Sequence, residues 1–583
     1  MQKLSVLGGN QTIQAVIAFS AFVAIALFIR HWPNVAAWQL GDNDNFMRLH
    51  QLQVYIQSPS LLLQPLERFN PQDGQIIHWS RLPDLPILAI YYLFSLVLDA
   101  ELSLQLAIAI VPILYLMLMI TLVALITQSV FGRSSVIASC FFTVTSLAAL
   151  KCYPGQIDHH NIQLLLFALF SFAVLSPHIT KVTYVLLVSG SVSLSLLIGL
   201  EVLPFFILML AGVTLSEVKY APYKITWIRD ASLCIALFGS LGIIALFPES
   251  QLKAPLYDVI SLPLLSYFVA AWFVLTVTSY RPSLLVLVIS SLIVIPTVYY
   301  ITPEPLSSPY KDYPSLLNSL WLEHVIEAKP LIDVLHPSAW QHSESNFLTA
   351  YLVTMLAPFL CVGLLKTRSQ KLLWVMFVIS LIPALLWQMR TIVFSAVLAL
   401  PLQSCLATAI LERVKLPIIR LIPLLLLSPI VMAYGAHLVT QDKGAEEPRL
   451  SAQALEGVAF IRQQPIEPGK MFTPMEVGAQ LLSLTEHAII AAPYHRNIRG
   501  NLLYMQVLLT EDLSWAHEMV VKEGIDYLYF DPNDRQIPYF NRVKTPESLL
   551  HLLLNEAPPP WLTLIAKTAS GQQLYRVTRT SSI

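Results

Sequence analysis

Long apolar stretches separated by short polar segments occupy the first 440 residues of the chain. The first runs from about Ile13 to Ile29, and stretches of similar length recur at about 102–126 and 182–200. A helix needs about 20 consecutive apolar residues to cross a bilayer. The pattern therefore predicts an α-helical polytopic membrane domain over residues 1–440, with about thirteen transmembrane helices.

The polar segments between the apolar stretches differ in charge and in length. Most of the short ones carry Lys or Arg, for example Arg133 and Arg281. Short basic loops lie on the cytoplasmic side of a membrane. With Lys3 also inside, the alternation of spans places two long loops, residues 31–101 and 301–346, outside the cytoplasm.

The apolar patch Leu85–Leu98 interrupts this alternation. It is short, contains Pro86, follows Pro83 and ends at Asp99. Counting it as a span would place basic loops on the outer side. We therefore interpret it as an interfacial or re-entrant helix within the first long loop.

After Thr440 the pattern becomes that of a soluble domain of ordinary size. By the parity of the spans, this domain, residues 441–583, lies outside the cytoplasm. Helical patterns cover 452–463 and 513–523, a turn is expected at 465–470, and strand-like runs cover 488–492 and 525–530. The sequence predicts a C-terminal extracytoplasmic α/β domain.

The composition excludes several classes of protein. Of the 583 residues, 56% are hydrophobic and 12% are charged, against roughly 25% charged residues in an ordinary soluble protein. The formal net charge of −1 leaves no strongly basic surface for nucleic acid. The five cysteines show no Cys-x-x-Cys spacing, so neither a disulfide framework nor a cysteine zinc site is predicted.

Two acidic residues, Asp42 and Asp44, follow the first apolar stretch, with Arg48 four residues after Asp44. Carboxylate oxygens are the ligands that Mg²⁺ and Mn²⁺ prefer, and these ions share their coordination with substrate phosphates. The pair is a candidate metal and phosphate site at the outer surface. The alternative is a solvated loop in which Asp44 caps a helix.

A second polar cluster, Asp158-His159-His160, precedes the fourth predicted span. In an extended segment the side chains of Asp158 and His160 point the same way and can hold one ion. A helix-capping aspartate beside interfacial histidines is the alternative. The topology brings Asp44 and Asp158 to the same side of the membrane, which independent capping would not require.

Three further charged residues lie beside predicted outer span ends or in outer loops. Glu201 ends the fifth span and is a candidate substrate-binding residue or a water-facing glutamate. Glu327 lies in the loop 301–346, whose length is typical of a binding or gating element. Arg390 lies at the outer mouth of the eleventh predicted span, where its guanidinium either binds phosphate or reaches lipid headgroups.

Together these features resemble the catalytic subunit of oligosaccharyltransferase, especially the single-subunit archaeal and bacterial enzymes of the GT-C glycosyltransferase class. The resemblance implies that Asp44 is the metal-binding aspartate of the first external loop. It implies that Asp158 and His160 form a DxH motif, that Glu327 ends the glutamate motif of the late loop, and that Arg390 binds the donor phosphate.

One departure from the family pattern concerns the acceptor. The family's WWDYG motif, which recognises the Ser or Thr of an Asn-x-Ser/Thr acceptor, corresponds here to Pro474-Met475-Glu476-Val477-Gly478. Glu476 and the glycine are kept and both tryptophans are lost, so sequon recognition is not implied. His495 and Arg496 are further candidate substrate-binding residues or a polar surface turn, as are Arg48 and His159 nearer the predicted metal site.

The resemblance implies a metal-dependent inverting glycosyltransferase of the cytoplasmic (inner) membrane, active on the periplasmic or extracytoplasmic side. It implies a polyprenyl-phosphate or polyprenyl-pyrophosphate sugar donor, a Mg²⁺ or Mn²⁺ ion held by Asp44, Asp158 and His160, and a glycolipid, polysaccharide or protein acceptor activated by Asp42 or Glu327. The alternatives are protein N-glycosylation, a lipid-linked glycan transporter or flippase, and a non-catalytic scaffold subunit. Transport sites lie at the membrane midplane, which argues against the flippase.

Overall fold

The structure, a computed structural model, describes residues 9–70, 74–249, 258–303, 310, 313–334, 345–414, 421–440 and 450–579. The chain divides into two compact units. Unit 1 comprises Met1–Ala37, Trp79–Pro309 and Ile326–Gly444, and unit 2 comprises Trp38–His78, Tyr310–Val325 and Ala445–Ile583. The start of the predicted C-terminal domain at 441 and parts of the loop 301–346 lie outside the described residues.

Unit 1 contains helices joined by turns and loops, and no strand among its described residues. Its long helices follow from uninterrupted apolar runs, and Ser, Thr or Asp caps begin several of them, as Asp99 does by accepting from the Leu102 N–H at 2.9 Å. The helices are α1 (Gly9–Ala36), α3 (Asp84–Phe94), α4 (Ala100–Phe131), α5 (Val136–Val144), α6 (Leu147–Leu150), α7 (His160–Leu175), α8 (Lys181–Ile198), α9 (Leu203–Tyr220), α10 (Ile225–Leu246), α11 (Leu262–Tyr280), α12 (Leu284–Ile301), α14 (Leu331–Val334), α15 (Ser345–Leu356), α16 (Arg368–Leu386), α17 (Ile392–Arg413), α18 (Leu421–Leu426) and α19 (Pro429–Thr440).

Nine helices of the described chain are long and apolar enough to cross a membrane, and four further apolar helices are shorter. The polytopic helical fold is therefore confirmed, and the count of thirteen spans stays a prediction. The apolar helix Met389–Arg413, which includes α17, has 89% of its apolar segment buried and forms the centre of unit 1. In α12 only 11% of the apolar segment is buried. The patch at Leu85 forms α3, whose 11 residues span only about 16 Å.

A tight turn carries the chain from α6 into α7. Gly155 has φ +85°, a left-handed conformation that favours glycine, and the Gln156 N–H donates to the Tyr153 carbonyl at 2.9 Å. The Gly155 N–H in turn donates to the carbonyl of Ile108 in α4 at 3.1 Å. These bonds fix the entry of α7, and with it the Asp158-His159-His160 segment.

Unit 2 is an α/β unit, which confirms the predicted fold class of the C-terminal region. The parallel strands β1, β2 and β3 lie in the order β2-β1-β3, and β5 and β4 continue the sheet antiparallel. Its elements are α2 (Asn43–Gln57), α13 (Ser315–Leu320), α20 (Leu450–Arg462), β1 (Lys470–Phe472), α21 (Met475–Leu484), β2 (Ala488–Ile489), α22 (Ile498–Leu509), α23 (Leu513–Lys522), β3 (Tyr527–Phe530), α24 (Ile537–Phe540), α25 (Leu549–Leu554), β4 (Leu562–Lys567) and β5 (Gln573–Val577).

Segments of both long loops are built into unit 2. The Asn70 N–H donates to the Ile489 carbonyl at 2.7 Å, and the Ile489 N–H donates to the Arg68 carbonyl at 2.8 Å, so the first loop extends the sheet beyond β2. From the second loop, Leu317 and Trp321 are buried in the hydrophobic core beneath the sheet. The two loops therefore contribute to the fold of this unit.

Candidate functional site

Two carboxylates and two imidazoles form a compact cluster in unit 1. His159 places Nδ1 2.5 Å from Asp158 Oδ1 and Nε2 2.7 Å from Glu201 Oε1. His160 places Nε2 3.3 Å from Asp158 Oδ2 and Nδ1 3.0 Å from Glu201 Oε1. The two rings stack with centroids 4.6 Å apart. We call these four residues the His–carboxylate cluster.

Three neighbouring elements hold the cluster in place. Asp158 and His159 lie in the turn before α7, His160 begins α7, and Glu201 lies in a single 3-10 turn between α8 and α9. Gln163, one turn into α7, donates to the carbonyls of Gly199 at 3.0 Å and Ser195 at 3.3 Å. This buried amide joins the start of α7 to the end of α8, which brings Glu201 to the histidines.

The segment at Asp158 differs from the extended conformation that the spacing suggested. His159 has φ −65° and ψ −15°, in the right-handed helical region. Asp158 and His160 meet because the chain turns into α7, and His159 joins them through its contacts with Asp158 and Glu201. The prediction of an extended segment was wrong, whereas the structure does place Asp158 and His160 together.

The cluster is buried, and its charges depend on one another. Burial opposes a charge on His159, but the adjacent carboxylates of Asp158 and Glu201 outweigh burial and raise its pKa to about 9. Burial likewise opposes ionisation of Asp158, yet His159 and His160 hold the pKa of that carboxyl below its ordinary value. Two buried carboxylates here therefore require nearby positive charge.

The chemistry of these donors fits a divalent cation. Asp158, His159 and His160 each offer one ligand atom, and these atoms lie within 4.8 Å of one another at buried positions. The Nδ1 atoms of both histidines are buried and face carboxylate oxygens, His159 that of Asp158 and His160 that of Glu201. Imidazole and carboxylate together suit Mn²⁺ or Zn²⁺ better than Mg²⁺, which prefers oxygen ligands.

Arg390 lies beside the cluster, just before α17. Its Nη2 is 3.9 Å from Glu201 Oε2 and its Nη1 is 3.7 Å from Glu327 Oε1, while Nε donates to Gln388 Oε1 at 3.2 Å. The Met389 N–H donates to the Lys329 carbonyl at 2.7 Å, which fixes the loop of Glu327 to the turn of Arg390. The structure thus places the carboxylates of Glu201 and Glu327 beside the guanidinium of Arg390.

Trp79 completes this region, and sequence reasoning missed it. Its indole is 3% exposed and packs on His159, with ring centroids 5.1 Å apart and a tilt of 40°. A protonated imidazole at this distance gains a cation–π contact. The only hint of this contact in the sequence is that Trp79 is an aromatic residue in a polar external loop. Such residues are common, and the sequence does not show that the partner of Trp79 is His159, 80 positions away.

The acidic stretch of the first loop belongs to unit 2. Asp42 is the N-cap of α2, and its Oδ1 accepts from the backbone N–H and the Nδ2 of Asn45 at 3.1 and 2.7 Å. The helix cap expected as the alternative for Asp44 is therefore made by Asp42. Asp44 lies in the first turn of α2, and Arg48 is fully buried.

Asn43 connects this stretch to Glu476. Its Nδ2 donates to Glu476 Oε2 at 2.7 Å, and its backbone carbonyl accepts from the Tyr494 hydroxyl at 2.9 Å. Glu476 lies in the first turn of α21, just past the carboxyl end of β1. Carboxyl ends of parallel strands are where α/β sheets bind ligands, above all where the strand order reverses, as it does around β1.

The other two candidates in unit 2 lie on the loop after β2. The imidazole of His495 is half-buried against His78, with centroids 4.7 Å apart, and the His495 carbonyl accepts from the Tyr313 hydroxyl at 3.3 Å. Arg496 is half-exposed. Both residues are thus on the same edge of the sheet as Glu476, since this loop follows the carboxyl end of β2.

Comparison with known proteins gives a likeness of structure without a likeness of sequence. No protein-family model and no curated protein sequence matches the chain. The apo oligosaccharyltransferase of Archaeoglobus fulgidus is similar with a TM-score of 0.65 and 14% identity, over 98% of this chain and 75% of that one. The archaeal oligosaccharyltransferase AglB of the same organism, in complex with an inhibitory peptide and a dolichol-phosphate, gives 0.62 and 15%, over 98% and 74%.

A third structure of the Archaeoglobus fulgidus enzyme, in complex with Zn and sulfate, is similar with a TM-score of 0.59 and 14% identity, over 97% of this chain and 73% of that one. At this level of identity the likeness is one of fold. It extends over nearly the whole chain, through the membrane helices and the C-terminal sheet alike. This chain therefore has the fold of the archaeal oligosaccharyltransferase, a GT-C-like polytopic membrane fold with a C-terminal α/β unit.

Proposed function

We propose that this protein is a metal-dependent inverting glycosyltransferase that moves a sugar or oligosaccharide from a polyprenyl-phosphate or polyprenyl-pyrophosphate donor to an acceptor outside the cytoplasmic membrane. The observation that carries the proposal is the buried His–carboxylate cluster with the guanidinium of Arg390 beside it. A cation-binding group and a phosphate-binding group at one place are what transfer from a phosphate donor requires.

The solved relatives support the kind of donor. One Archaeoglobus fulgidus structure contains a dolichol-phosphate and another contains Zn and sulfate. A lipid phosphate and a tetrahedral anion are the chemistry that Arg390 and the cluster would meet here. A polyprenyl-linked donor is thus inferred from these similar structures. The arrangement of charges is that of this chain.

In the proposed reaction the bond between the anomeric carbon and the phosphate oxygen breaks, and its electron pair leaves with the phosphate. Arg390 donates hydrogen bonds to that phosphate. A divalent cation held by Asp158 and His160 would neutralise the charge that develops on the leaving oxygen, and the resemblance implies a metal-binding role for Asp44 as well. Glu201 and His159 hold the ligand side chains in orientation.

The acceptor forms its new bond on the face of the sugar opposite the phosphate, which inverts the anomeric centre. Glu327 is the residue that we assign to take the acceptor's proton, since its carboxylate is 60% exposed and therefore accessible to an acceptor. Asp42, the other candidate, already accepts two hydrogen bonds as the cap of α2. The helix cap therefore accounts for the position of Asp42 without a role in catalysis.

The acceptor class follows from what replaces the sequon-binding tryptophans. Glu476 and Asn43 form a polar, partly exposed edge in place of an aromatic pocket. We propose a glycolipid or surface polysaccharide acceptor in preference to an Asn-x-Ser/Thr peptide, because sugar hydroxyls match carboxylate and amide acceptors. The active site and unit 2 are assigned to the periplasmic or extracytoplasmic side on the distribution of basic loops.

The test uses the full chain, purified in lipid nanodiscs, with a radiolabelled polyprenyl-linked sugar and an acceptor extract that contains glycolipid, polysaccharide and protein. Transfer is expected to stop with EDTA, to return with Mn²⁺, and to fall at least a hundredfold in Asp158→Ala and Asp44→Ala. Glu412→Gln, an exposed carboxylate at the end of α17, is the matched control.

Separating the labelled products by class identifies the acceptor. Label in protein that depends on an Asn-x-Ser/Thr site would favour the N-glycosylation alternative. Movement of the labelled donor across the bilayer without transfer would favour a flippase. Sugar transfer that is insensitive to chelation and to both aspartate variants would contradict the metal proposal.

A further inference from the structure

Two cations share one exposed tyrosine ring where α9 ends and α16 begins. Lys219 Nζ lies 5.0 Å from the centroid of the Tyr220 ring, and Arg368 Cζ lies 5.4 Å from the same centroid. The ring is 59% exposed. A cation over an aromatic face is held in place by the ring quadrupole, which leaves its charge unneutralised.

The carboxylate nearby accounts for only one of these charges. Arg368 Nη2 donates to Glu217 Oε2 at 2.6 Å, and Glu217 is 3% exposed. A buried carboxylate needs this partner, so the guanidinium and Glu217 together are nearly neutral. Lys219 forms no ion pair with the described residues. One ammonium group, that of Lys219, therefore remains unneutralised beside the guanidinium of Arg368.

A second pair of the same kind lies one turn further along, at the start of α10. Lys224 Nζ lies 5.6 Å from the centroid of the Trp227 ring, and Tyr223, which is 63% exposed, packs edge-on against that ring. Lys224 also forms no ion pair among the described residues. Nearby, Asp230 is bridged by Lys181 at 2.6 Å and by Arg229 at 2.7 Å.

This end of unit 1 is consequently positive and rimmed by aromatic rings. Its basic residues are Lys181, Lys219, Lys224, Arg229 and Arg368, and the carboxylates that face them are those of Glu217 and Asp230. Tyrosine and tryptophan at the ends of membrane helices lie at the level of the lipid headgroups. Anionic headgroups are attracted to basic residues at that level, and a phosphodiester oxygen is a strong acceptor for ammonium and guanidinium donors.

We propose that Lys219, Tyr220 and Arg368 form a binding site for the phosphodiester headgroup of an anionic phospholipid, with Lys224 and Trp227 as its flank. The phosphate accepts from Lys219 Nζ and from the guanidinium N–H groups of Arg368 that Glu217 leaves available. The glycerol and upper acyl chains lie against Tyr220 and Tyr223. A zwitterionic lipid binds less well because its own ammonium competes for the phosphate and repels Lys219.

The experiment measures lipid binding to the delipidated full chain in detergent by native mass spectrometry, with phosphatidylglycerol, phosphatidylcholine and inorganic phosphate as separate titrants. Phosphatidylglycerol is expected to bind at least tenfold more tightly than the other two. Lys219→Gln removes the unneutralised charge without touching the Arg368–Glu217 pair, and it is expected to weaken phosphatidylglycerol binding about fivefold.

Two further variants separate the site from a general effect of charge or of folding. Tyr220→Phe keeps the ring and is expected to keep binding, whereas Tyr220→Leu is expected to weaken it as Lys219→Gln does. Lys544→Gln, which removes a lysine from unit 2, is the charge-matched control and is expected to change nothing. Equal affinity for the two lipids, tight binding of inorganic phosphate alone, or unchanged binding in both Lys219→Gln and Tyr220→Leu would overturn the proposal.

Discussion

The side-chain amide of Asn43 donates a 2.7 Å hydrogen bond to the carboxylate of Glu476, joining positions 433 residues apart. Through this bond and the Tyr494 hydroxyl on the Asn43 carbonyl, the first turn of α2 is a structural part of unit 2. Asp44 occupies that same turn. The position of Asp44 thus depends on contacts that the neighbouring Asn43 makes with Glu476 and Tyr494.

Asn43→Asp is expected to loosen the first turn of α2. The substitution replaces an amide donor with a second carboxylate against Glu476, so a hydrogen bond worth about 2 kcal/mol becomes a repulsion. Amide hydrogen exchange over residues 44–52 of the full chain should accelerate at least tenfold. Asn541→Asp, at an exposed position of unit 2, should leave that exchange unchanged, and equal protection in both variants would contradict the role assigned to Asn43.

Glu201→Gln is expected to lower the affinity of the cluster for Mn²⁺ by about tenfold to a hundredfold, the usual effect of losing a carboxylate that orients a ligating histidine. The volume is kept, while the charge that holds His159 and His160 is lost. Isothermal titration of the full chain with Mn²⁺ measures the change. Glu412→Gln serves as the control, and an unaltered affinity in Glu201→Gln would show that Glu201 does not orient the histidines.

Trp79→Ala is expected to reduce kcat of sugar transfer by about tenfold while KM for the donor changes little, because the indole packs on His159. Trp79→Phe keeps an aromatic face and should recover most of the activity. Initial rates across donor concentrations distinguish the two parameters. A rise in KM with constant kcat would place Trp79 in donor binding instead.

Gly500→Ala is expected to destabilise unit 2 by about 3 kcal/mol. A Cβ at this position would lie 1.8 Å from the Ile490 carbonyl oxygen, which is backbone and cannot move aside. The midpoint of thermal unfolding should fall, and hydrogen exchange in β1 and β3 should become faster; both measure the loss of stability. Gly190→Ala in α8, where nothing lies within 4 Å of the added carbon, should be neutral or slightly stabilising.

Stability of unit 2 is expected to fall as the pH rises from about 4 to about 7. Burial raises the pKa of Asp534 to about 7, against the backbone N–H of Gln536 and with help from Glu476 and Asp531. The folded state therefore keeps a proton that the unfolded chain has already released, and one such proton gives a slope of up to about 1.4 kcal/mol per pH unit.

Hydrogen exchange of β1 and β3 in the full chain, corrected for intrinsic rates at pH 5 and pH 8, measures this slope. Asp534→Asn has no proton to lose there and should flatten the dependence. A slope that survives in Asp534→Asn would assign the effect to another group.

The membrane helices and the α/β class of unit 2 could be predicted because both depend on local pattern. Apolar runs of membrane length specify helices such as α4 without tertiary information. The strand β3 and the helix α23 follow a similar local logic. By contrast, β1 has only three residues, too few to show alternation, and the sequence suggested a turn that ends where β1 begins, at Lys470.

The His–carboxylate cluster could be predicted only in part. Spacing joined Asp158 to His160, although the backbone there is a helix entry and not an extended segment. Its partners Glu201 and Trp79 are set by how helices and loops pack, and no local pattern encodes that. Long-range contacts of this kind, such as Asn43 with Glu476, become visible only in three dimensions.

The assembly of unit 2 from Trp38–His78, Tyr310–Val325 and Ala445–Ile583 has a consequence for biosynthesis. Translation proceeds from the N-terminus, so the two earlier segments emerge long before the sheet they pack on exists. Arg68 and Asn70 can form their backbone hydrogen bonds with Ile489 only after nearly 420 further residues have been synthesised. The turn that carries Asp44 is therefore completed at the end of synthesis, once the C-terminal part of unit 2 has folded.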